Sequence, residues 1–425
     1  MDPTETKDNF CATHNKKTLT LGCCTRGEIM AQHDVIIIGG GAAGMMAAIT
    51  AKRRGASVLM CEKMPKLGKK LLITGAGRCN LSNDVLDASF YNPGSQALVR
   101  SVLGQFGKEA VFRFFKELGL ATYADEAGRI FPVTNQAASV LKVLEMELER
   151  LKVTIDLGCE IKNIRVVKNG FEISAGSGER ETGLKIILCA GGKSYPALGA
   201  DGNGYALAAM FGHKIIEPVP STVPLLVKDP WCHALQGQKL RVSVTSRIRG
   251  KEVRTASGEL LFTQYGLSGT AVLDVSDEIS IALNRDHEAS VSVIVDLLPF
   301  MDEKELTAEL SGKLAKGIAC ENLVEGLLPH KLSGLLRETL HGSDVAAITR
   351  LLKRKEFKVI GTRGWNEAEF TAGGIPVEEA DPLTLESKLQ KGLYFAGEVL
   401  DVQGRRGGYN LAWAWASGAV AGKTA

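Results

Sequence analysis

The turn after the first apolar segment has the spacing of a dinucleotide-binding loop. Gly39-Gly40-Gly41-Ala42-Ala43-Gly44 fits the pattern G-x-G-x-x-G and directly follows Val35–Ile38, a run typical of a buried parallel strand. The first glycine permits a tight turn, the second lets the backbone approach a pyrophosphate, and the third lets the next helix pack closely on the strand. The start of that helix, predicted over Met45–Arg54, would offer free N–H groups to the phosphates.

Glu62 adds a second feature to this turn. It ends the next predicted strand, Ser57–Cys61, and lies 18 residues after Gly44. A carboxylate in this place accepts hydrogen bonds from ribose hydroxyls and repels a 2′-phosphate, so it favours an adenosine diphosphate without that group. A glycine turn without a ligand explains the motif alone, and a solvated acid explains Glu62 alone. Their combination in one strand–turn–helix–strand unit favours the dinucleotide.

The segment Lys69–Asn83 is a second candidate for ligand contacts. Its glycines would let backbone amides reach a ligand, and Arg78 or Asn80 could hydrogen-bond a phosphate or the edge of a flavin ring. A plain surface loop fits the spacing equally well. Cys79 has no partner cysteine nearby in the sequence, so a small packed residue is favoured over a redox thiol.

Two later glycine turns each follow a predicted strand. Ala190-Gly191-Gly192 follows Leu184–Leu188 and would place bare backbone near a ligand, although a turn between domains fits equally well. Gly397-Glu398 follows a short apolar strand, and Gly407-Gly408 then opens the last helix, Tyr409–Gly422. The first amides of that helix could face a flavin pyrimidine ring, where negative charge builds on reduction.

Composition and spacing argue against several classes of function. Basic and acidic residues nearly balance, 51 against 48, so no nucleic-acid partner is expected. No further G-x-G-x-x-G follows a strand, which argues against a separate NAD(P)H domain, and no metal-ligand spacing or Gly-x-Ser-x-Gly motif occurs. No apolar run reaches the ~18 residues of a membrane span. Nine irregularly spaced cysteines fit reduced thiols in a cytoplasmic protein.

Several segments together resemble the BaiN/RdsA-like NAD(P)/FAD-dependent oxidoreductases of bacteria, a flavoprotein family that includes an aminoacetone oxidase. The resemblance extends from about Asp34 to Gly422 and is most specific in GRCN, AGEVLDV and GGYNL. The segments that carry it are DVIIIGGGAAG (34–44), LGKKLLITGAGRCNLSN (67–83), GRIFPVTNQAASV (128–140), CAGGKSYPALGADGNGY (189–205), GELLFTQYGLSG (258–269), FTAGGIPVEE (370–379) and GLYFAGEVLDVQGRRGGYNLAWAWASG (392–418).

The resemblance implies an α/β fold with a glutathione-reductase-type, Rossmann-like FAD-binding domain, an inserted β-barrel-like domain and a small helical domain. It also implies where FAD is bound. The residues expected to contact the cofactor are Gly39, Gly41, Ala42, Ala43, Gly44, Glu62, Lys63, Lys69, Thr74, Gly75, Gly77, Arg78, Cys79, Asn80, Ala190, Gly191, Gly192, Gly397, Glu398, Gly408, Tyr409, Asn410 and Leu411.

The order of predicted elements divides the chain into segments that leave the first domain and later return to it. Whether the residues before Met30 belong to the mature protein stays open. We expect an N-terminal tail at 1–32, a first part of the FAD-binding domain at 33–214, a β-rich substrate domain at 215–300, a small helical domain at 301–356, and a return to the β domain and the FAD-binding domain at 357–425.

Four residues depart from the pattern expected of the family. Gln264 stands where histidine is usual, and Thr270 stands where proline is usual. Gln403 and Arg406 replace the commoner small or acidic neighbours. Because a glutamine cannot act as a general base, proton transfer at position 264 is in doubt, and no catalytic residue is assigned.

The main hypothesis is an enzyme that passes hydride between a small-molecule substrate and flavin N5. Oxygen, a quinone-like compound and NAD(P) are all open as acceptors. One alternative is an NAD(P)H-dependent flavin reductase that binds the nicotinamide transiently. Another is a non-catalytic flavin- or nucleotide-binding sensor or RNA-associated factor. Substrate identity and oligomeric state are not determined by the sequence.

Overall fold

A computed structural model of the chain describes residues 32–425, so the expected N-terminal tail lies outside the described residues except for Gln32. Within that range no helix has the length and apolar character needed to cross a membrane. The strands are β1 (His33–Ile38), β2 (Val58–Glu62), β3 (Ser82–Asn83), β4 (Thr122–Ala124), β5 (Arg129–Pro132), β6 (Thr154–Leu157), β7 (Ile161–Val167), β8 (Gly170–Ala175), β9 (Arg180–Leu188), β10 (Ile216–Ser221), β11 (Leu225–Val227), β12 (Lys239–Ile248), β13 (Lys251–Thr263), β14 (Gly266–Ser268), β15 (Val291–Asp296), β16 (Lys355–Thr362), β17 (Phe370–Gly374) and β18 (Leu393–Phe395).

The helices alternate with the strands in the first half of the chain and cluster between β15 and β16 in the second. They are α1 (Ala42–Arg53), α2 (Gln96–Gln105), α3 (Lys108–Glu117), α4 (Ala137–Arg150), α5 (Asn203–Ala209), α6 (Pro230–Ala234), α7 (Thr270–Asp274), α8 (Ser276–Asn284), α9 (Glu303–Ala315), α10 (His330–Leu340), α11 (Val345–Lys353) and α12 (Tyr409–Thr424).

The main sheet has a parallel centre, as the sequence predicts for a Rossmann-like fold. Its strand order is β6-β2-β1-β9-β8-β7, and β18 pairs in parallel with the end of β9. Strands β1 and β2 are buried along most of their length, which suits their continuous apolar sequences. The parallel strands β1, β2, β9 and β18 end at the same edge of the sheet. The turns that follow them therefore meet there.

Helices α1 and α12 pack with their backbones in close contact. A Cβ atom on Gly418 would lie 2.4 Å from the carbonyl oxygen of Ala43, and one on Gly422 would lie 2.4 Å from that of Ala47. Only glycine leaves room for such an approach. This packing joins the last helix of the chain to the first and places the start of α12 at the same edge of the sheet as the turn after β1.

The second half of the chain forms a closed barrel of strand order β11-β14-β13-β12-β15-β16. Pairing of β11 with β16 completes the closure. Residues on β12 alternate between barrel interior and surface, with Leu240, Val242 and Val244 buried. Helices α9, α10 and α11 share one apolar cluster with the barrel interior, so they extend its core. The boundaries of the inserted domains stay predictions.

A two-stranded antiparallel ribbon of β10 and β17 connects the barrel to the main sheet. The chain leaves the first domain through β10 and returns through β17. The return places Glu369 and Thr371 beside the loop after β9, because Ser194 Oγ donates to the carbonyl of Glu369 and Thr371 Oγ1 accepts from the N–H of Lys193.

Apolar residues at helical spacing predict one helix over Ser95–Gly119, and this prediction is wrong because the structure has two helices there. Helix α2 ends at Gln105 and α3 begins at Lys108, with Phe106 in a non-helical conformation (φ −142°, ψ 73°). A Cβ atom on Gly107 would lie 2.7 Å from the carbonyl oxygen of Leu103, so the glycine permits the tight break. Both helices bury apolar residues at helical spacing. The sequence pattern therefore continues across the break and does not reveal it.

We expect Gly418→Ala to destabilise the protein by about 1–3 kcal/mol, because the added methyl group must push α12 away from α1. Gly104→Ala is the matched control: it lies in α2, and its Cβ would meet no atom within 4 Å. That change should be neutral or stabilise by up to about 1 kcal/mol through helix propensity. Chemical denaturation of both variants checks this, and equal stabilities would contradict the close α1–α12 contact.

Candidate functional site

The glycine turn after β1 is packed tightly on one side and open on the other. A Cβ atom on Gly39 would lie 2.4 Å from the carbonyl oxygen of Cys189, and one on Gly44 would lie 1.9 Å from that of Gly39. A Cβ atom on Gly41 would meet no atom within 4 Å. Gly41 caps α1, and the first turn has neither a side-chain cap nor an acidic residue. The N–H groups at this helix start are therefore available to an anion.

Glu62 is fixed against this turn by two backbone hydrogen bonds. Its Oε2 accepts from the N–H of Gly40 at 2.6 Å, and its Oε1 accepts from the N–H of Met64 at 2.8 Å. Each carboxylate oxygen keeps a lone pair that could accept a ribose hydroxyl. The cleft beside Glu62 is lined by Ile38, Gly39, Cys61, Glu62, Lys63, Cys159, Ile161, Ala190, Gly199 and Asn203.

Lys63 and Asn203 complete the polar side of this cleft. Lys63 Nζ lies 2.5 Å from Asp201 Oδ1, so its charge is already paired within the protein. Asn203 Oδ1 is buried and has no hydrogen-bond partner among the described residues. A buried acceptor without a donor is costly, so a ligand N–H or O–H would satisfy it.

The loop that contains Arg78 and Asn80 is held by local contacts. The N–H of Cys79 donates to the carbonyl of Thr74 at 2.9 Å, and the Arg78 guanidinium lies over the Phe131 ring at 4.5 Å. Cys79 is fully buried, and burial raises the pKa of its thiol to about 12. The prediction that Cys79 is a packed residue and not a redox thiol is confirmed. Any contact of Cys79 with the cofactor would come from its backbone. Asn80 Oδ1 is buried and has no partner among residues 32–425.

A lysine–glutamate pair links this loop to the two later glycine turns. Lys70 Nζ lies 2.7 Å from Glu398 Oε2 and donates to Ser194 Oγ at 2.6 Å. Glu398 Oε1 accepts from the N–H of Thr371 at 2.9 Å. Both charged side chains are about a quarter exposed, so they stay partly accessible to solvent while remaining paired. Four distant segments of the chain therefore meet around one carboxylate.

The lysine in this network is not the one that the family resemblance implies. Lys69 is expected to contact the cofactor, but within the described part of the chain this half-buried residue has no side-chain hydrogen bond or ion pair. Lys70, Ser194 and Thr371 were not predicted. The two lysines are adjacent, and the sequence contains no signal that says which one points toward Glu398. Lys69 stays a predicted ligand contact.

The loop after β9 uses its glycines in different ways. A Cβ atom on Gly192 would lie 2.4 Å from Thr371 Oγ1 and 2.9 Å from the Glu398 carboxyl carbon, so protein packing alone requires glycine there. Gly191 has φ 74°, and its Cβ would meet only Ala200, at 3.9 Å. The open side of Gly191 leaves its backbone accessible to a ligand.

The Gly397 turn is clamped by the last helix. Its N–H donates to Ser417 Oγ at 2.9 Å, and its carbonyl accepts from Trp413 Nε1 at 3.0 Å. Trp415 Nε1 donates to the carbonyl of Leu81 at 3.1 Å. Both tryptophans are buried, so they pack α12 against the rest of the domain. These bonds fix the Gly-Glu turn relative to α12.

The start of α12 lies against the Asn80 loop. Gly408 caps the helix with φ 102°, and a Cβ atom there would lie 2.2 Å from the carbonyl oxygen of Ser82 and 2.8 Å from Asn80 Oδ1. Glycine is required both by the left-handed backbone and by this contact. No side chain caps the helix and no acid lies in its first turn, so its positive end is available to a ligand.

The next three residues make contacts within the protein. The Tyr409 ring stacks on Phe90 with centroids 4.5 Å apart, and the Asn410 amide bonds to both the N–H and the carbonyl of Gly404. Leu411 is half-buried. Their predicted cofactor contacts stay predictions, because each of the two polar side chains already has a structural role.

Gln403 and Arg406, which depart from the family pattern, join this segment to the barrel side. Arg406 Nε donates to Glu369 Oε2 at 3.0 Å, and its Nη1 lies 3.6 Å from Asp274 Oδ1. The Gln403 amide donates to the Ser221 hydroxyl. Burial raises the pKa of Asp274, and Arg406 opposes that effect. A charged cluster therefore lies at the junction beside the start of α12.

The other two departures lie on the barrel. Gln264 is exposed in the turn between β13 and β14. Thr270 opens α7, and its Oγ1 accepts from the N–H of Glu259 at 2.9 Å. Within the described residues, no group of three or more His, Cys, Asp or Glu side chains is arranged to hold a metal ion.

The residues at this edge of the sheet fit an FAD molecule. The uncapped start of α1 and the open face of Gly41 suit a pyrophosphate, and the fixed carboxylate of Glu62 suits a ribose. The buried, unpartnered Asn80 Oδ1 lies beside the uncapped start of α12, where a polar ring edge would satisfy both. Fold and site together define an FAD-dependent oxidoreductase.

The family follows from comparison with known proteins. The model of the HI0933-like protein Rossmann domain matches residues 33–424, and the chain belongs to this family. Over 404 residues it is 39% identical to a 3-dehydro-bile acid delta(4,6)-reductase from Clostridium scindens, which covers 92% of this chain and 98% of the relative. The resemblance seen in the sequence motifs is thereby confirmed.

More distant relatives agree with this placement. A ribosomal RNA dihydrouridine synthase from Escherichia coli is 32% identical over 398 residues, which are 91% of this chain and 96% of that protein. Among solved structures, a 3-ketosteroid delta1-dehydrogenase from Sterolibacterium denitrificans matches with a TM-score of 0.50 and 12% identity, covering 92% of this chain and 98% of that one. At this identity the likeness shows the fold alone.

We expect Lys70→Met to destabilise the cofactor-free protein by about 1.5–3 kcal/mol, because the half-buried Glu398 and the fully buried Ser194 lose their charged partner. Lys69→Met is the matched control and should leave the free energy of unfolding unchanged, because Lys69 has no partner among the described residues. Denaturant unfolding of the two variants measures the difference. A larger loss in Lys69→Met would contradict the placement of the two lysines.

Proposed function

We propose that this chain is an FAD-dependent reductase that adds hydrogen across a carbon–carbon double bond conjugated to a carbonyl group in a small molecule. The observation that carries this proposal is the 39% identity, over nearly all of both chains, to a protein named for reducing double bonds in a keto-substituted bile acid. The dihydrouridine synthases are likewise named for a product in which a double bond beside a carbonyl is saturated. The common chemistry is hydride addition to a conjugated, electron-poor alkene.

The cofactor would be held by five segments of the chain near this sheet edge. They are residues 39–44, 62–63, 69–80, 190–192 and 397–411. The Gly39–Gly44 turn, Glu62 and Lys63 would hold the adenosine diphosphate part. The remaining residues predicted from the resemblance, from Lys69 to Leu411, would surround the flavin part, with Lys70 and Ser194 added to them. When bound there, FAD supplies hydride transfer, which no protein side chain can perform.

The chain's own residues would set the electrostatics around the ring. The uncapped N-terminus of α12 offers partial positive charge where the reduced ring accumulates negative charge. The Lys70–Glu398 pair is nearly neutral as a unit, so it orders the polar edge of the cleft without adding net charge. The barrel would cover the open side, and its junction with the first domain would form the substrate cleft.

The source of electrons in this proposal is a reduced nicotinamide dinucleotide that binds transiently. The glycine turn after β1 is assigned to FAD, and no second turn of that kind follows a strand in the sequence. The donor would therefore share the substrate cleft and leave before the alkene binds. The two half-reactions can then be measured separately.

The test is an anaerobic two-step experiment on the purified, FAD-loaded protein. We expect NADH or NADPH to bleach the visible flavin absorbance, and a panel of conjugated ketones that includes a steroid dienone to restore it. Saturated ketones and isolated alkenes are the matched controls and should leave it bleached, because neither can delocalise the charge that hydride addition creates.

Other outcomes select the alternatives. Restoration by oxygen alone would contradict the reductase and favour an oxidase. Restoration by ribosomal RNA fragments, with none by free ketones, would assign a nucleic-acid substrate instead. A protein that takes up no FAD would exclude the catalytic proposal and favour a different nucleotide ligand.

A further inference from the structure

Hydrogenation of a conjugated alkene needs a proton as well as a hydride. Gln264 lies between β13 and β14, and an amide has no acid–base function near neutral pH. The side chain is also exposed in a hairpin turn. Gln264 is therefore not the proton donor for the reaction proposed above.

Tyr195 lies where the loop after β9 meets the chain returning from the barrel. Its N–H donates to the carbonyl of Trp365 at 2.9 Å, and Trp365 lies between β16 and β17. The preceding residue, Ser194, accepts from Lys70 Nζ at 2.6 Å and thereby joins the Glu398 network. Tyr195 is thus anchored on one side to the candidate cofactor site and on the other to the barrel connection.

The backbone of Tyr195 is held in a left-handed conformation, with φ 57° and ψ 63°. This region is unfavourable for a residue with an aromatic side chain and costs about 1–3 kcal/mol. The hydrogen bonds of Ser194 and of the Tyr195 N–H keep it there. An ordinary extended backbone at this point would turn the ring in a different direction, so the strain fixes where the phenol points.

The Tyr195 hydroxyl is available to a ligand. The residue is half-buried, and its hydroxyl makes no hydrogen bond with the residues described. Other tyrosines are less suited: the Tyr205 hydroxyl is enclosed in the protein, and the Tyr409 ring is stacked on Phe90. Tyr265 lies on the barrel hairpin beneath the Arg363 guanidinium, at 4.8 Å. Tyr265 is therefore the main alternative candidate for the proton donor.

The surroundings of Tyr195 favour the protonated phenol. Burial and then the carboxylates of Glu369 and Glu367 raise its pKa above the ordinary tyrosine value. Arg406 Nε donates a hydrogen bond to Glu369 Oε2 in the same cluster. The group therefore stays an acid through neutral and mildly basic pH, as a proton donor must.

We propose that Tyr195 is the catalytic acid of the double-bond reduction. The phenol O–H bond breaks and a C–H bond forms at the carbon next to the carbonyl, while hydride adds to the carbon beyond it. The two electrons needed for the reduction are those of this hydride, and they derive from the reduced nicotinamide named above. The phenolate then regains a proton from water through the exposed side of the residue. Substrate and product differ by two hydrogen atoms, so the step balances.

The test is reoxidation of the pre-reduced holoprotein by a conjugated ketone, with Tyr195→Phe compared to wild type. We expect the variant to be slower by roughly 10²-fold or more, the usual contribution of a positioned acid. Its affinities for FAD and for a saturated ketone should change by less than about twofold, since only the hydroxyl is removed. Tyr123→Phe is the control, because Tyr123 is exposed and its hydroxyl donates to Asn135 Oδ1 and to no other side chain among residues 32–425.

The pH profile separates an acid from a structural tyrosine. The wild-type rate should fall as pH rises through the raised pKa of the phenol, and this decline should vanish in Tyr195→Phe. An unchanged reoxidation rate in Tyr195→Phe would overturn the assignment. A large loss of rate in Tyr265→Phe, with none in Tyr195→Phe, would assign the role to Tyr265 instead. If wild type is bleached by the nicotinamide but restored by no conjugated ketone, the proposed reaction fails and this assignment fails with it.

Discussion

The close contact between α1 and α12 is the constraint on which the rest of the structure depends. Gly418 and Gly422 let the last helix lie against the backbone of the first, and this contact fixes the start of α12 beside the turn after β1. The same helix clamps the Gly397 turn through Ser417 and Trp413. Without this packing the start of α12 would have no fixed position beside the turn after β1.

The site that results is organised around paired charges and free backbone groups. Glu62 is held by backbone N–H groups, and Glu398 is held by Lys70 and by a backbone N–H, so both carboxylates are oriented before a ligand binds. The starts of α1 and α12 remain uncapped. Such preorganisation lowers the cost of ordering the protein when the cofactor binds. The barrel junction adds the charged cluster around Arg406, which borders the proposed substrate cleft.

The features of the fold and site that the sequence predicts are those set by residues close together in the chain. The glycine turn and Glu62 belong to one local unit, so their spacing alone indicated their place. The choice of Lys70 over Lys69 depends on the direction of a short loop, and the contacts of Ser194 and Thr371 depend on where β17 returns after a long insertion. The break between α2 and α3 was hidden because both helices bury apolar residues. Barrel closure requires the register of β11 on β16, which no local pattern encodes.

The central claim is that one FAD molecule joins segments from both ends of the chain. Hydrogen–deuterium exchange of the cofactor-free protein, with and without added FAD, tests it most directly. We predict simultaneous protection of residues 39–45, 62–64, 74–82, 189–195 and 397–411, with no change in the barrel strands β12 and β13. Protection confined to 39–64 would contradict the account, because it would mean that the site binds only an adenine nucleotide.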